Sequence, residues 1–185
     1  MAADFLMFEG DVKQFGFDEK IKVRLTSLKA VRPSKELVIV QGMENNRSIV
    51  ENRHVDILLD PDKFCRKDKL HHRSSGLDDV ICKFAKRKNI AVGFSFSSFL
   101  YVEDISVKLG RLMQNIRFCR KFKVKMVIGS FASNSQELRG MEDMAAFFRV
   151  AGMTPKEVKD AFNAAAEILK EKRTRVREGV RLVED

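Results

Sequence analysis

The sequence has no tryptophan, one tyrosine, three histidines and three cysteines in 185 residues. Each scarcity excludes something. The 15 phenylalanines supply nearly all the aromatic content and read mostly as core. They show no alternation of ring and cation of the kind that stacks single-stranded bases. A metal-dependent phosphoesterase barrel needs several histidine ligands, starting with H-x-H after its first strand. Here FLMFEGD supplies none, and His54, His71 and His72 lie away from the strand ends. Cys65, Cys82 and Cys119 are odd in number and contain no C-x-x-C pair, so they imply neither a zinc site nor a disulfide framework. Cys82 and Cys119 sit in helical patterns and read as small core residues. G-x-S-x-G, G-x-x-x-x-G-K-[ST] and G-x-G-x-x-G are all missing. No run approaches the ~20 apolar residues of a membrane span. MAADFLMFEGD is acidic and lacks the pattern of a secretory leader. The expectation is a soluble, cytoplasmic protein that binds no metal or cofactor of its own and no membrane.

Positive charge is what the chain has in excess, and it is segregated. Residues 1–60 hold 9 Lys/Arg against 10 Asp/Glu, residues 61–135 hold 16 against 6, and residues 136–185 hold 10 against 10. The whole excess of the formal +9 charge therefore lies mid-chain. Solubility does not require that asymmetry, whereas a phosphate-binding face does.

Short apolar runs mark strands at 5–8, 37–41, 56–59, 90–96 and 125–131, with a weaker sixth at 21–27. Helical patterns cover about 77–88, 102–122, 135–150 and 155–175. Strands alternating with helices predict an α/β fold with mainly parallel strands and outer helices. In IAVGFSF, Ile90, Val92, Phe94 and Phe96 alternate with Ala91, Gly93 and Ser95. Bulk on one side and small residues on the other suit a tight barrel interior facing an outer helical layer. A complete eight-unit barrel usually takes roughly 250 residues, ~200 at the least. The expected architecture is therefore a modified or incomplete TIM-type barrel in a single domain, residues 1–185.

The first of these helices is expected to start on a Ser75–Asp78 capping box and to bury Leu77, Val80, Ile81, Phe84 and Ala85. Lys86, Arg87 and Lys88 complement the negative charge of its end. The second buries Ile105, Leu109, Leu112, Ile116 and Cys119 and carries Lys108, Arg111, Arg117, Arg120 and Lys121 beside that stripe. Two neighbouring helices then present one basic surface. The last helix opens on a Thr154–Glu157 box with Pro155 in first position, and its charged tail, 172–185, reads as a fraying end. The strand ends offer Glu9, Asp11, Gln41, Asp60, Ser95, Ser97, Ser130, Ser133 and Asn134, but no histidine and no nucleophile–base pair.

Several stretches carry a family likeness: ENNRSIVENRHVDILLDP, CRKD, SSGLDDVICKFAKRKNIAVGFSFSSFLY and RKFKVKMVIGSFASNSQELRGMEDMAAFFRVAGMTPKEV. In this order, across residues 36–171, the chain resembles the archaeal ribonuclease P protein component 3 family, the thirty-kilodalton-class subunit. Residues 1–35 match it poorly and stand as atypical barrel units. CRKDKLHHRSSG is longer than the usual loop, Asp79 replaces a common histidine, and no proline lies near EIL. The resemblance implies a TIM-like scaffold without a working metal centre. It implies a non-catalytic subunit of the enzyme that removes the 5′ leader of precursor tRNA, in which the RNA performs the hydrolysis with magnesium. The implied partners are that RNA, protein component 2 and the other holoenzyme proteins, with precursor tRNA met indirectly. The family's basic positions fall on Arg47, Arg66, Lys88, Lys121, Arg139 and Lys159, with Arg73 replacing or supplementing Arg66. Asp56 and Asp143 match acidic positions expected to form ion pairs or caps. Two other readings stay open: a metal-dependent barrel hydrolase, and a protein scaffold that meets RNA only through its partner.

Overall fold

The computed structural model describes residues 2–64, 67–68, 73–177 and 180–181. Six short strands run parallel in two ladders: β1 (Ala3–Leu6) with β2 (Glu19–Lys22), and β3 (Ile39–Gln41), β4 (Ile57–Leu59), β5 (Ala91–Ser95) and β6 (Met126–Gly129) in that order. Single parallel bridges join the ladders at both edges, Leu25 to Ile39 and Leu6 to Ala132. Thr26 N donates to Ile39 O at 2.9 Å, and Met7 N to Ala132 O at 2.9 Å. The helices are α1 (Asn46–Glu51), α2 (Asp79–Lys88), α3 (Ile105–Phe122), α4 (Met141–Val150) and α5 (Pro155–Thr174). After α5, β7 (Arg175–Arg177) pairs antiparallel with β8 (Val180–Arg181).

Side chains separate to two faces as the period of 2 demands. Phe5, Ile21, Ile39, Ile57, Leu59, Ala91 and Val127 form one cluster, joined by Ala164, Ala165 and Ile168 of α5. Val40, Leu58, Val92, Phe94 and Ile128 meet the other helices in the second. The alternation in β5 therefore works as its sequence suggested. Gly93 is small by necessity, since a Cβ there would lie 2.9 Å from Ile57 Cγ2. The alanines of α5 let that helix approach β6 and β1 closely, and near its C-terminal end Lys172 Nζ reaches Asp56 ahead of β4, as an ion pair, and Glu36 O ahead of β3.

The first two units hold only 3-10 turns between their strands, Lys13–Phe15 and Leu28–Ala30. Two other details depart from the sequence reading. Asp78, not Ser75, caps α2: its Oδ1 accepts Ile81 N at 2.7 Å. The helix pattern at 135–150 is interrupted. A 3-10 turn, Ser135–Glu137, and an extended Leu138 precede α4, because Asn134 caps the turn and Glu137 folds back onto Ser133 N. The Thr154–Glu157 box forms as expected, with Thr154 N to Glu157 Oε2 at 2.7 Å and Glu157 N to Thr154 Oγ1 at 3.2 Å.

Candidate nucleic-acid interface

The C-terminal ends of the strands, where a parallel barrel would place its chemistry, use their polar groups on the fold itself. Asp60 is buried with φ +45°, and its carboxylate accepts Ser95 N at 2.9 Å and Ser95 Oγ at 2.5 Å. Burial pushes its pKa up against the opposing pull of Lys108 and Ser95. Lys108 pairs instead with buried Asp62 at 3.2 Å and stands over the Phe99 ring. Glu9 pairs with Lys20 and Lys22, Ser97 Oγ donates to Phe131 O, and Ser130 Oγ to Phe5 O. Buried Asp4 accepts Ser130 N at 2.6 Å, and burial raises its pKa too. Among the described residues no group of three His, Cys, Asp or Glu side chains could hold a metal.

The basic positions divide by what they touch. Arg111 and Arg120 are committed to the protein. Arg111 is only 9% exposed and clamps Asp68 Oδ1 from Nε at 3.0 Å and Nη2 at 2.9 Å, which pins the β4–α2 loop to α3. The helical stripe placed Arg111 outside because it could not register the loop folded over it. Arg120 grips Glu157 with two 2.7 Å bonds and also donates to Gly152 O, tying α3 to the start of α5. Arg139 turns onto its own backbone, donating to Gln136 O and Leu138 O, rather than pairing with Glu137 or Glu142. Lys88 Nζ donates to Glu51 O at the end of α1.

Arg117 is exposed and has no ion pair among the described residues. Arg73 is exposed, and its guanidinium lies against α3 in the space a Cβ on Gly110 would take. Lys159 rims a cleft of about 430 Å³ between α4 and α5, floored by Met141, Ala145, Val158 and Phe162. Arg66 lies outside the described residues.

Two of the predicted basic positions, Arg47 and Lys121, belong to a band the sequence did not reveal. Arg47 of α1 and Arg87 of α2 stand 5.6 and 4.6 Å from the centre of the Phe84 ring. Lys83 of α2 and Lys121 of α3 stand 5.9 and 4.8 Å from Phe122, which stacks along Phe118. Both rings are half-buried. Rings and cations therefore do meet in the fold, though not as the run of open rings that stacks single-stranded bases. The band is assembled across three helices and has no signature along one. The i, i+3 spacing of Phe84 and Arg87 and the i, i+4 spacing of Phe118 and Phe122 are its local traces.

The Arg120–Glu157 contact yields a pH prediction. Hydrogen bonds from Arg120, opposed by partial burial, lower Glu157 from 4.5 to about 2. A carboxylate depressed by folding adds stability that is complete above pH 4.5 and lost as pH falls toward about 2. The Arg120 side chain is 45% exposed, so screening leaves only about 1–2 kcal/mol. Glu157→Gln should cost that much at neutral pH and nothing below pH 2, as read by urea unfolding across pH. An equal cost at both ends would show that packing, not charge, holds α3 to α5.

Comparison with known proteins identifies the family. The RNase P subunit p30 family profile matches residues 18–177. Ribonuclease P protein component 3 of Methanosarcina mazei is 31% identical over 161 residues, covering 83% of this chain and 64% of the relative. The Thermococcus kodakarensis protein of that name is 32% identical, covering 71% and 58%. The chain thus spans about three fifths of the length of these relatives. A chain in a cryo-EM structure of archaeal ribonuclease P with mature tRNA superposes with a TM-score of 0.68 at 18% identity, covering all of this chain and 90% of that one. That likeness concerns the fold. With parallel strands, outer helices and a matched span from residue 18 to residue 177, this chain belongs to the RNase P subunit p30 family.

Proposed function

We propose that this chain is a non-catalytic subunit of ribonuclease P that binds and helps fold the catalytic RNA removing the 5′ leader of precursor tRNA. The family match over residues 18–177 carries the reading. A modified, incomplete TIM-type barrel in one domain is the scaffold this reading takes, supported by six parallel strands in two ladders with a single bridge between them at each edge. The partners are ribonuclease P RNA, protein component 2 and the other holoenzyme proteins, and precursor tRNA is met through them. Magnesium serves the RNA. No helix among the described residues is long and apolar enough to cross a membrane, which suits a cytoplasmic ribonucleoprotein.

The physical role is charge neutralisation. RNA helices repel one another until cations screen their phosphates, and a fixed set of Arg and Lys side chains replaces part of the magnesium that would otherwise do so. The test is reconstitution of the RNA with its other proteins, with and without this chain, following precursor-tRNA cleavage against magnesium concentration. Adding the chain should move the cleavage midpoint to lower magnesium. An unmoved midpoint, together with metal-dependent phosphoester hydrolysis by the chain alone, would replace this reading with that of a barrel hydrolase.

A further inference from the structure

The Phe84 and Phe122 rings meet the protein's own cations. We propose, building on the reading of the chain as RNA-binding, that this band recognises the phosphate backbones of double-stranded RNA rather than unstacked bases.

Three observations point there. First, a platform for single strands offers open ring faces, because each base stacks on one. Here four cations approach the two rings, and the rings position charge. The exposed Tyr101 precedes α3, whereas Phe122 ends it, roughly 27 Å away at 1.5 Å per residue. It is no part of the band. Second, the cations come from three successive helices. Helices packed about 8–10 Å apart spread them over roughly 20 Å, wide enough to meet two backbones side by side rather than one strand in a groove. Third, the competing ion pairs are weak. Arg47 pairs with Glu51 at 2.7 Å and Lys121 with Asp79 at 3.4 Å, all four side chains being well exposed. Solvent screens such pairs, and a phosphate can replace either carboxylate. The exposed ridge of α2, Val80, Lys83, Lys86 and Arg87, offers cations to the backbones, and side chains cannot read the deep, narrow major groove of an RNA duplex, so binding is indifferent to sequence.

The test compares a 20-base-pair RNA duplex with an oligouridine strand of equal length, each labelled and titrated with the full chain at fixed low salt. The duplex should bind at least tenfold tighter. Phe84→Leu and Phe122→Leu keep apolar bulk in half-buried positions but remove the ring's attraction for cations. They should weaken duplex binding about two- to fivefold and leave strand binding unchanged. Circular dichroism of each variant guards against misfolding. Tighter strand binding, abolished by the leucine substitutions, would mean that the rings stack bases and would overturn the inference while leaving RNA binding intact. Failure to bind either RNA would remove the RNA-binding reading itself, and the inference with it.

Discussion

Asn46→Ala is expected to destabilise the protein by about 3–4 kcal/mol, among the largest costs of any single polar substitution here. Asn46 opens α1 and is only 3% exposed. Its Nδ2 donates to Pro61 O at 2.7 Å and to Gly76 O at 2.9 Å, while its Oδ1 accepts Met43 N at 2.7 Å. One amide thus joins the loop after β3 to both ends of the loop after β4. Removing it takes the side-chain partner from Met43 N and Gly76 O in a site with little access to water, at about 1–3 kcal/mol for each one left fully unpaired, and loosens the hold on Pro61. Gly76→Ala should cost a comparable amount by another route. Gly76 has φ +79°, and a Cβ there would sit 1.9 Å from Pro61 O. The backbone would have to move, and with it the same hydrogen-bonded junction. Urea unfolding monitored by far-ultraviolet circular dichroism reads both variants. A loss below about 1 kcal/mol for Asn46→Ala would show that the loops hold their places without the amide. The junction matters for function because α1 begins there, and Arg47, the first cation of the band, follows directly.

What the sequence disclosed, and what it hid, follows the range of the forces involved. Strands announced themselves because burial on two faces needs consecutive apolar residues: DILL and KMVIGSF contain β4 and β6. Long helices did so through their stripes and caps. By contrast α1, NRSIVE, is six residues long and offers only Ile49 and Val50 as apolar anchors, so no periodicity had room to show. Its existence rests on tertiary contact with α2. Val80 and Ile105 were assigned to core stripes, yet they are 44% and 56% exposed. Each lies near the start of its helix, where the apolar stripe runs on past the neighbours that could cover it. The basic surface was legible as composition, because the middle of the chain is basic whatever its fold. Which cations face outward was not. Arg111 and Arg117 are six residues apart on one helix, and only the loop bearing Asp68 decides that the first is buried while the second is open. The resemblance likewise located basic positions without showing that Lys88 and Arg139 spend their donors on nearby carbonyls.

That division sets the final expectation, which separates cations that bind RNA from cations that hold the protein together. Reversing four charges of the band at once, Arg47→Glu, Lys83→Glu, Arg87→Glu and Lys121→Glu, should weaken binding to ribonuclease P RNA about a thousandfold near 0.1 M salt. Each phosphate contact contributes about 0.9 to the slope of log affinity against log salt, so losing four flattens that slope by about 3–4. Stability should change little, because the ion pairs given up, to Glu51 and Asp79, are exposed. Arg111→Ala should do the opposite. It leaves Asp68 without its guanidinium partner in a partly buried site, costing about 3 kcal/mol, and leaves the salt slope as it was. Arg120→Ala should resemble Arg111→Ala, with a smaller loss of about 1–2 kcal/mol because the Arg120–Glu157 pair is more open to water. Affinity titrations at several salt concentrations, run beside urea unfolding, place every variant on both axes. If Arg111→Ala flattened the slope while the fourfold reversal left it unchanged, RNA would have to enter over the Asp68 loop rather than across α1, α2 and α3. That loop joins β4 to α2. The band, by contrast, draws its charge from the segment that carries the whole basic excess and from one arginine on α1, which is why the fourfold reversal is expected to dominate.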